Sequence, residues 1–193
     1  MRKITTRGER KETRNKVIIG LVLVAVMVFG TIGFAFFSGS EEEKVEKVDY
    51  NGVEFILNEN GLWQFETQNF GFLTSFNPKD TENISVPVFM TTGDYYRKPL
   101  FFLGQGRARQ EIERGLRNFA SRSQDACIGD YEDICEKDAP IKTCSEENIM
   151  VFIETDDIEI SQEDNCIFIS SPHEEQIRAA NALLFKILGI RGI

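Results

Sequence analysis

The distribution of hydrophobic and polar residues divides the chain into four segments. Residues 1–16 are polar and basic, residues 17–37 are apolar and uncharged, residues 38–48 are rich in charge, and residues 49–193 alternate short apolar and polar runs. A helix made of the 21 apolar residues would be about 31 Å long, which matches a hydrocarbon core of about 30 Å. The pattern predicts a basic tail, a transmembrane helix at 17–37, a linker at 38–48 and one folded domain at 49–193.

Alternation with a period of two begins near Tyr50 and is typical of half-buried strands. Residues 53–57 and 63–65 alternate on either side of Asn60-Gly61, which is a hairpin turn sequence. A third strand is predicted at 70–76, so this region is interpreted as a β-meander. Pro87 and Pro99 bracket residues 88–90, which we expect to form a short strand.

Continuous apolar runs follow at 100–103, 149–153 and 166–169, and they are typical of strands that are buried on both faces. A weaker strand is expected at 158–160. Between the first two runs, a stripe formed by Ile112, Leu116 and Phe119 predicts an amphipathic helix over about 107–123.

The C-terminal region predicts a second amphipathic helix. Ser171, Pro172 and Glu174 combine an N-cap, a proline at the first helical position and a capping-box carboxylate. A buried stripe follows, and Gly189 is a suitable C-cap. Together the elements indicate an α+β domain, with mixed α/β as the alternative, in which an N-terminal meander precedes two amphipathic helices on a sheet.

The distribution of charge predicts on which side of the membrane each segment lies. Seven basic and two acidic residues precede residue 38, so this segment has a formal charge of +5. Because the whole chain has a formal charge of −9, the residues beyond position 37 carry −14. The excess of basic residues before the apolar run predicts a cytoplasmic N-terminus, a single-pass signal anchor in the cell membrane and an outer C-terminal domain. A cleaved signal peptide is the alternative, since Ser38-Gly39-Ser40 offers small residues for a peptidase. The acidic domain disfavours nucleic acid as a partner.

Four cysteines, Cys127, Cys135, Cys144 and Cys166, all lie in the predicted outer domain. An even number of cysteines outside the cytoplasm favours two disulfides, for which three connectivities are open. Zinc is the alternative, but the spacing contains no C-x2-C pair. The same absence argues against a redox-active pair.

The glycines of Gly104-Gln105-Gly106 precede a helix that is unusually basic for this domain. Gly104, Gly106, Arg107 and Arg109 are the candidate ligand-binding residues, because backbone N–H groups at a helix start and guanidinium groups can hold an anion. The alternative is that the arginines pair with neighbouring acids.

Asn83 begins an Asn-Ile-Ser sequon and is a candidate glycosylation site. No hydrolase motif surrounds a serine, and the single histidine, His173, has no evident catalytic partner. Acidic clusters at 130–138 and 156–159 lack the order of a calcium loop. The sequence therefore offers no catalytic residue, no metal site and no cofactor.

Residues 165–190, NCIFISSPHEEQIRAANALLFKILGI, carry a resemblance. With the basic tail, the apolar run, the meander and the four cysteines, they resemble uncharacterised single-pass envelope proteins of small-genome archaea. The resemblance implies an outward-facing domain with disulfides, and it implies no activity.

Three functions are compatible with these observations. The leading hypothesis is a membrane-anchored, non-catalytic interaction or structural module of the cell envelope, whose partners are the lipid bilayer and another envelope or membrane protein. The alternatives are a domain that binds or senses an anionic ligand, and an envelope hydrolase that uses carboxylates.

Overall fold

The computed structural model describes residues 16–28, 46–129, 131, 135–136 and 138–191. Two compact units divide the chain, Met1–Lys44 and Val45–Ile193. In the first unit, residues 16–28 are helical and are labelled α1. All strands and the other helices belong to the second unit.

The predicted transmembrane helix at 17–37 is contradicted by the structure. Within the described part of the chain, no helix has both the length and the apolar character that crossing a membrane requires. Residues 29–37 of the predicted span lie outside the described residues.

The predicted meander is present, with one strand more than expected. Its strands are β1 (Lys47–Tyr50), β2 (Val53–Leu57), β3 (Trp63–Thr67) and β4 (Phe70–Thr74), in sequential antiparallel order. The predicted linker at 38–48 therefore overlaps β1 by two residues. Asn51 and Gly52 both have positive φ and close the first hairpin, as two-residue turns between twisted strands require.

The second unit also contains a five-stranded sheet in the order β10-β11-β9-β5-β6. Its strands pair in parallel, except for the antiparallel pair of β10 and β11. Two short strands, β7 and β8, form a separate parallel pair. The bounds are β5 (Pro99–Leu103), β6 (Arg122–Asp125), β7 (Cys127–Ile128), β8 (Ile141–Lys142), β9 (Asn148–Glu154), β10 (Glu159–Glu163) and β11 (Cys166–Ser171).

In the described part of the chain, α1 is followed by the helices α2 (Thr92–Tyr95), α3 (Arg107–Leu116) and α4 (Gln176–Ile187). Short 3-10 turns occupy Lys79–Thr81 and His173–Glu175. Helix α3 is shorter than predicted, because the chain turns after Leu116 and enters β6 at Arg122. The sequence of β6, RSQD, contains no apolar residue, so hydrophobic periodicity did not indicate this edge strand.

The last helix begins later than its capping sequence predicted. Ser171 is the final residue of β11, and its buried hydroxyl has no hydrogen-bond partner among the described residues. Pro172 precedes the 3-10 turn, and α4 starts at Gln176. The predicted glycine at the end of the helix is confirmed, since Gly189 adopts a φ of +74° just after α4.

The strand expected at 88–90 is absent; this described segment has no regular structure. Val88 and Met90 are buried while Phe89 is exposed, so the side chains alternate as in a strand. The Phe89 N–H, however, donates to the side chain of Gln162 at 2.8 Å rather than to a backbone ladder. The side chains of residues 88–90 are therefore alternately buried and exposed although this segment does not pair with a strand.

The main core lies between the meander and the five-stranded sheet, with α3 and α4 as the middle layer. Phe185 of α4 contacts Phe55 and Phe65 of the meander, with ring centroids 5.7 and 5.9 Å apart respectively. Gly115 allows α3 to approach α4 closely, because a Cβ there would lie 2.6 Å from the Leu184 methyl groups. These contacts confirm the predicted α+β class, with two amphipathic helices on a sheet.

A second, smaller core covers the opposite face of the five-stranded sheet. Residues that alternate with those of the main core point to this side, for example Phe101, Ile149 and Cys166. Burial on both faces is the reason that the apolar runs are continuous. No helix of the described chain covers this face; the segment around β7 and β8 and the two disulfides lie against it.

Candidate functional site

Two disulfides join all four cysteines: Cys127 to Cys135, and Cys144 to Cys166. The predicted disulfides are therefore confirmed, and the structure decides among the three connectivities. The two cysteines of the Cys127–Cys135 disulfide are separated by 8 positions in the sequence, and those of the Cys144–Cys166 disulfide by 22. Disulfides persist in oxidising compartments, so they indicate an extracellular or secreted environment for this domain.

The predicted glycine turn lies at the carboxyl edge of the parallel strands, between β5 and α3. Gly104 has a φ of +100° and Gly106, the N-cap of α3, has a φ of +127°. A Cβ on Gly104 would lie 3.1 Å from the backbone oxygen of Phe152. Glycine at position 104 is thus required by backbone conformation and by close packing.

Arg109 does not face an open site. Its guanidinium forms an ion pair with Asp125 and lies 4.9 Å from the ring centroid of Phe102, and its side chain is only 11% exposed. Gln105 also donates to Asp125 and to Glu136, at 3.2 and 2.7 Å. Pairing with local acids, the alternative considered for these arginines, is what the structure shows for Arg109.

Arg107 has a different environment from Arg109. It is exposed, forms no ion pair with the described residues, and borders a cavity of about 150 Å³. The cavity is also lined by Ala108, His173, Glu174, Gln176 and Ile177, so the starts of α3 and of the C-terminal helical segment meet there. Of the predicted ligand-binding set, the structure brings Arg107 alone to this cavity.

The buried carboxylate of Glu111 is fully engaged within the core. It accepts hydrogen bonds from Ser75 at 2.7 Å and from Asn181 at 3.0 Å, and it pairs with Arg114 at 2.8 Å. Asn181 in turn accepts from the backbone N–H of Phe76 at 2.8 Å. This network joins α3, α4 and the segment after β4, and it satisfies polar groups that burial would otherwise penalise.

A surface that the sequence analysis did not predict lies near the amino ends of β5 and β6. We call it the aromatic–basic surface: Phe70, Tyr96 and Arg97 are its exposed residues, Phe119 is buried beneath Phe70, and the exposed Lys98 and Arg117 adjoin it in sequence. Tyr96 is 55% exposed and Phe70 is 39% exposed. Exposed aromatic side chains and arginines of this kind are enriched in protein–protein interfaces.

Direct contacts hold the aromatic–basic surface together. The rings of Phe70 and Phe119 meet edge to face at 5.5 Å, and the Arg97 N–H donates to the Phe119 carbonyl at 2.8 Å. The guanidinium of Arg97 lies 5.2 Å from the ring centroid of Tyr96. A hydrogen bond between Thr92 and Gln68 ties α2 to the turn before β4. Residues far apart in sequence therefore form one continuous patch.

Arg97 occupies a backbone conformation that favours glycine. Tyr96 has φ −62° and ψ 117°, Arg97 has φ +60°, and the Lys98 N–H donates to the Tyr95 carbonyl at 3.0 Å. These values define a type II turn, whose third residue is usually glycine. For other residues the left-handed region costs roughly 1–2 kcal/mol.

The local sequence contains the signal for this surface. Residues 95–98, Tyr-Tyr-Arg-Lys, combine aromatic and basic residues within a strongly acidic domain. Tyr95 itself is buried, and its hydroxyl donates to the sulfur of Met90 at 3.5 Å. Burial, with a smaller contribution from the charge of Asp94, raises the pKa of the Tyr95 hydroxyl well above its usual value.

Asn83 lies in an exposed turn directly after a 3-10 turn, while Ile84 of the same sequon is buried. Its side chain is accessible, and glycosylation there stays a prediction. The acidic residues 130, 132 and 133 lie outside the described residues.

Comparison with known proteins gave no match to any protein family, curated protein or solved structure. The resemblance to archaeal envelope proteins stays a prediction.

Proposed function

We propose that this protein is a non-catalytic interaction module that works outside the cytoplasm, and that it binds another protein through the aromatic–basic surface. The observation that carries the proposal is the exposure of Tyr96 and Phe70 on one continuous patch that also contains Arg97. Among the described residues of the second unit, Phe89 and Ile141 are the other exposed large apolar residues. Exposure of grouped aromatic side chains is unfavourable in water unless a partner covers them.

The patch also has a rigid base, which favours binding. Phe119 is buried beneath Phe70 and stacks at 6.5 Å on Phe72 of the meander. Because the supporting residues are already fixed, few degrees of freedom are lost when a partner docks.

The test is site-specific photo-crosslinking of the full chain in its native host. A photoreactive phenylalanine analogue replaces Tyr96, and we expect one defined protein partner to be captured. Phe70→Ala, on the same surface, should lower the yield severalfold, whereas Phe89→Ala should not. Phe89 is a suitable control because it is 85% exposed and lies beside the opposite edge strand β10. Equal effects of both substitutions, or capture of no protein, would contradict the proposal.

Anion binding is the second candidate function, and the cavity beside Arg107 favours it. The neighbouring carboxylate of Glu174 opposes an anion there, and Arg109 is already paired with Asp125. An Arg107→Gln variant whose thermal unfolding responds to phosphate and sulfate as the unsubstituted chain does would argue against it.

A further inference from the structure

The aromatic–basic surface carries positive charge in a domain that is otherwise acidic. Arg97, Lys98 and Arg117 are exposed, and none forms an ion pair with another described residue. By contrast, Arg109 and Arg114 are both neutralised by carboxylates. Arg97 therefore places an unpaired positive charge directly beside the exposed ring of Tyr96.

Two acidic residues close in sequence to these cations, Asp94 and Glu113, have other partners. Asp94 caps α2, where its carboxylate accepts from the Thr91 N–H at 2.7 Å and from the Thr91 hydroxyl at 3.0 Å. Glu113, one turn before Arg117 on α3, accepts from the hydroxyl of Ser123 and lies 4.0 Å from Arg109. Neither carboxylate neutralises Arg97 or Lys98.

We infer that the partner docks on this surface through an acidic segment that also bears apolar side chains, and that Arg97 is the residue that selects it. This inference rests on the proposed function. A guanidinium can bind a carboxylate through two parallel hydrogen bonds, and the exposed rings of Tyr96 and Phe70 offer apolar contact beside it.

The backbone at Arg97 supports this assignment. Glycine would fit the type II turn better, yet an arginine stands at the position with φ +60°. Strained positions of this kind concentrate at binding sites, where the side chain has a role that outweighs the strain. The turn projects the guanidinium over the ring of Tyr96, which holds it in place for binding.

The charge of the rest of the domain adds selectivity. Residues beyond position 37 carry a formal charge of −14, so an acidic segment is repelled by the domain as a whole and attracted where cations such as Arg97 are unpaired. Like-charge repulsion elsewhere and attraction at a single patch specify the orientation of a complex.

The inference is tested by fluorescence anisotropy with the oxidised full chain and three labelled synthetic peptides. In each peptide leucine alternates with one other residue, which is glutamate in the first, glutamine in the second and lysine in the third. We expect the glutamate peptide to bind best, with binding that weakens as salt rises. Arg97→Gln should weaken it roughly tenfold, whereas Lys79→Gln, at an exposed lysine outside the surface, should leave it unchanged.

Several results would overturn the inference. Equal binding of the glutamate and glutamine peptides, no binding of either, or an equal loss in Lys79→Gln would each do so. Arg97-dependent binding to phosphatidylserine vesicles without peptide binding would assign the surface to lipid instead. If the crosslinked complex at Tyr96 survives Arg97→Gln and high salt, the selection by charge is wrong while the proposed function stands; loss of every crosslink contradicts the proposed function itself.

Discussion

The two faces of the five-stranded sheet are covered in different ways. One face packs on α3 and α4, which pack in turn on the meander, so large side chains interlock across three layers. The other face is covered by short strands and connecting segments with few apolar residues, and two disulfides hold that region in place. Covalent crosslinks therefore supplement a smaller core on the face that no long helix within the described residues covers.

The largest effect is expected from the packed face. Phe185→Ala removes the ring that contacts Phe55 and Phe65, and we expect a loss of about 3–5 kcal/mol in the free energy of unfolding. Trp63, the single tryptophan of the chain, is buried in the same core and reports urea unfolding by fluorescence. Phe89→Ala, at an exposed phenylalanine, should change the free energy by no more than about 0.5 kcal/mol. Similar losses in both variants would show that the three layers are not the main source of stability.

The crosslinked face should respond next most strongly. Replacing Cys144 and Cys166 together with alanine should cost about 3 kcal/mol, and replacing Cys127 and Cys135 about 2.5 kcal/mol, because the longer loop loses more entropy when closed. Urea midpoints of both variants measure this difference.

Mass spectrometry of the intact, non-reduced chain is the control for these variants. The two disulfides predict a mass four hydrogens below that of the reduced chain. A chain with free thiols, or an unchanged urea midpoint after reduction, would show that crosslinks do not order this face.

Alkaline pH should lower the free energy of unfolding through ionisation of Tyr95, which is buried in the main core. Its folded-state pKa is raised by burial, so the folded state favours the neutral hydroxyl. The contribution to stability is therefore present below the unfolded pKa of about 10 and is lost as the pH rises above it. Tyr95→Phe should flatten the fall in the unfolding midpoint above about pH 10, whereas Tyr96→Phe, at an exposed ring, should not. Parallel pH profiles for all three proteins would refute this.

The smallest effect is expected at the rim of the packed face, in the turn that holds Arg97. Arg97→Gly relieves the backbone strain at φ +60°, whereas Arg97→Ala keeps it, and both lose the contact with Tyr96. The glycine variant should therefore be more stable than the alanine variant by about 1 kcal/mol. Thermal unfolding of the pair measures this difference, and equal stabilities would mean that the turn is unstrained.

The sequence by itself determined the features that depend on local pattern. Alternation and apolar runs located the meander and the strands β5, β9 and β11, because side-chain direction in a strand follows from position along the chain. The even number of cysteines predicted two disulfides. Local pattern was wrong at 17–37, since no helix in the described part of the chain is long and apolar enough to cross a membrane.

Tertiary structure alone decided which distant residues meet. Asp125 neutralises Arg109 from 16 residues away, because β6 lies beside β5 while α3 crosses between them. In the same way, Phe119 is placed between Phe70 and the turn at Arg97. The pairing of cysteines and the composition of the aromatic–basic surface depend on strand order, and strand order is set by packing between layers rather than by the periodicity of any one segment.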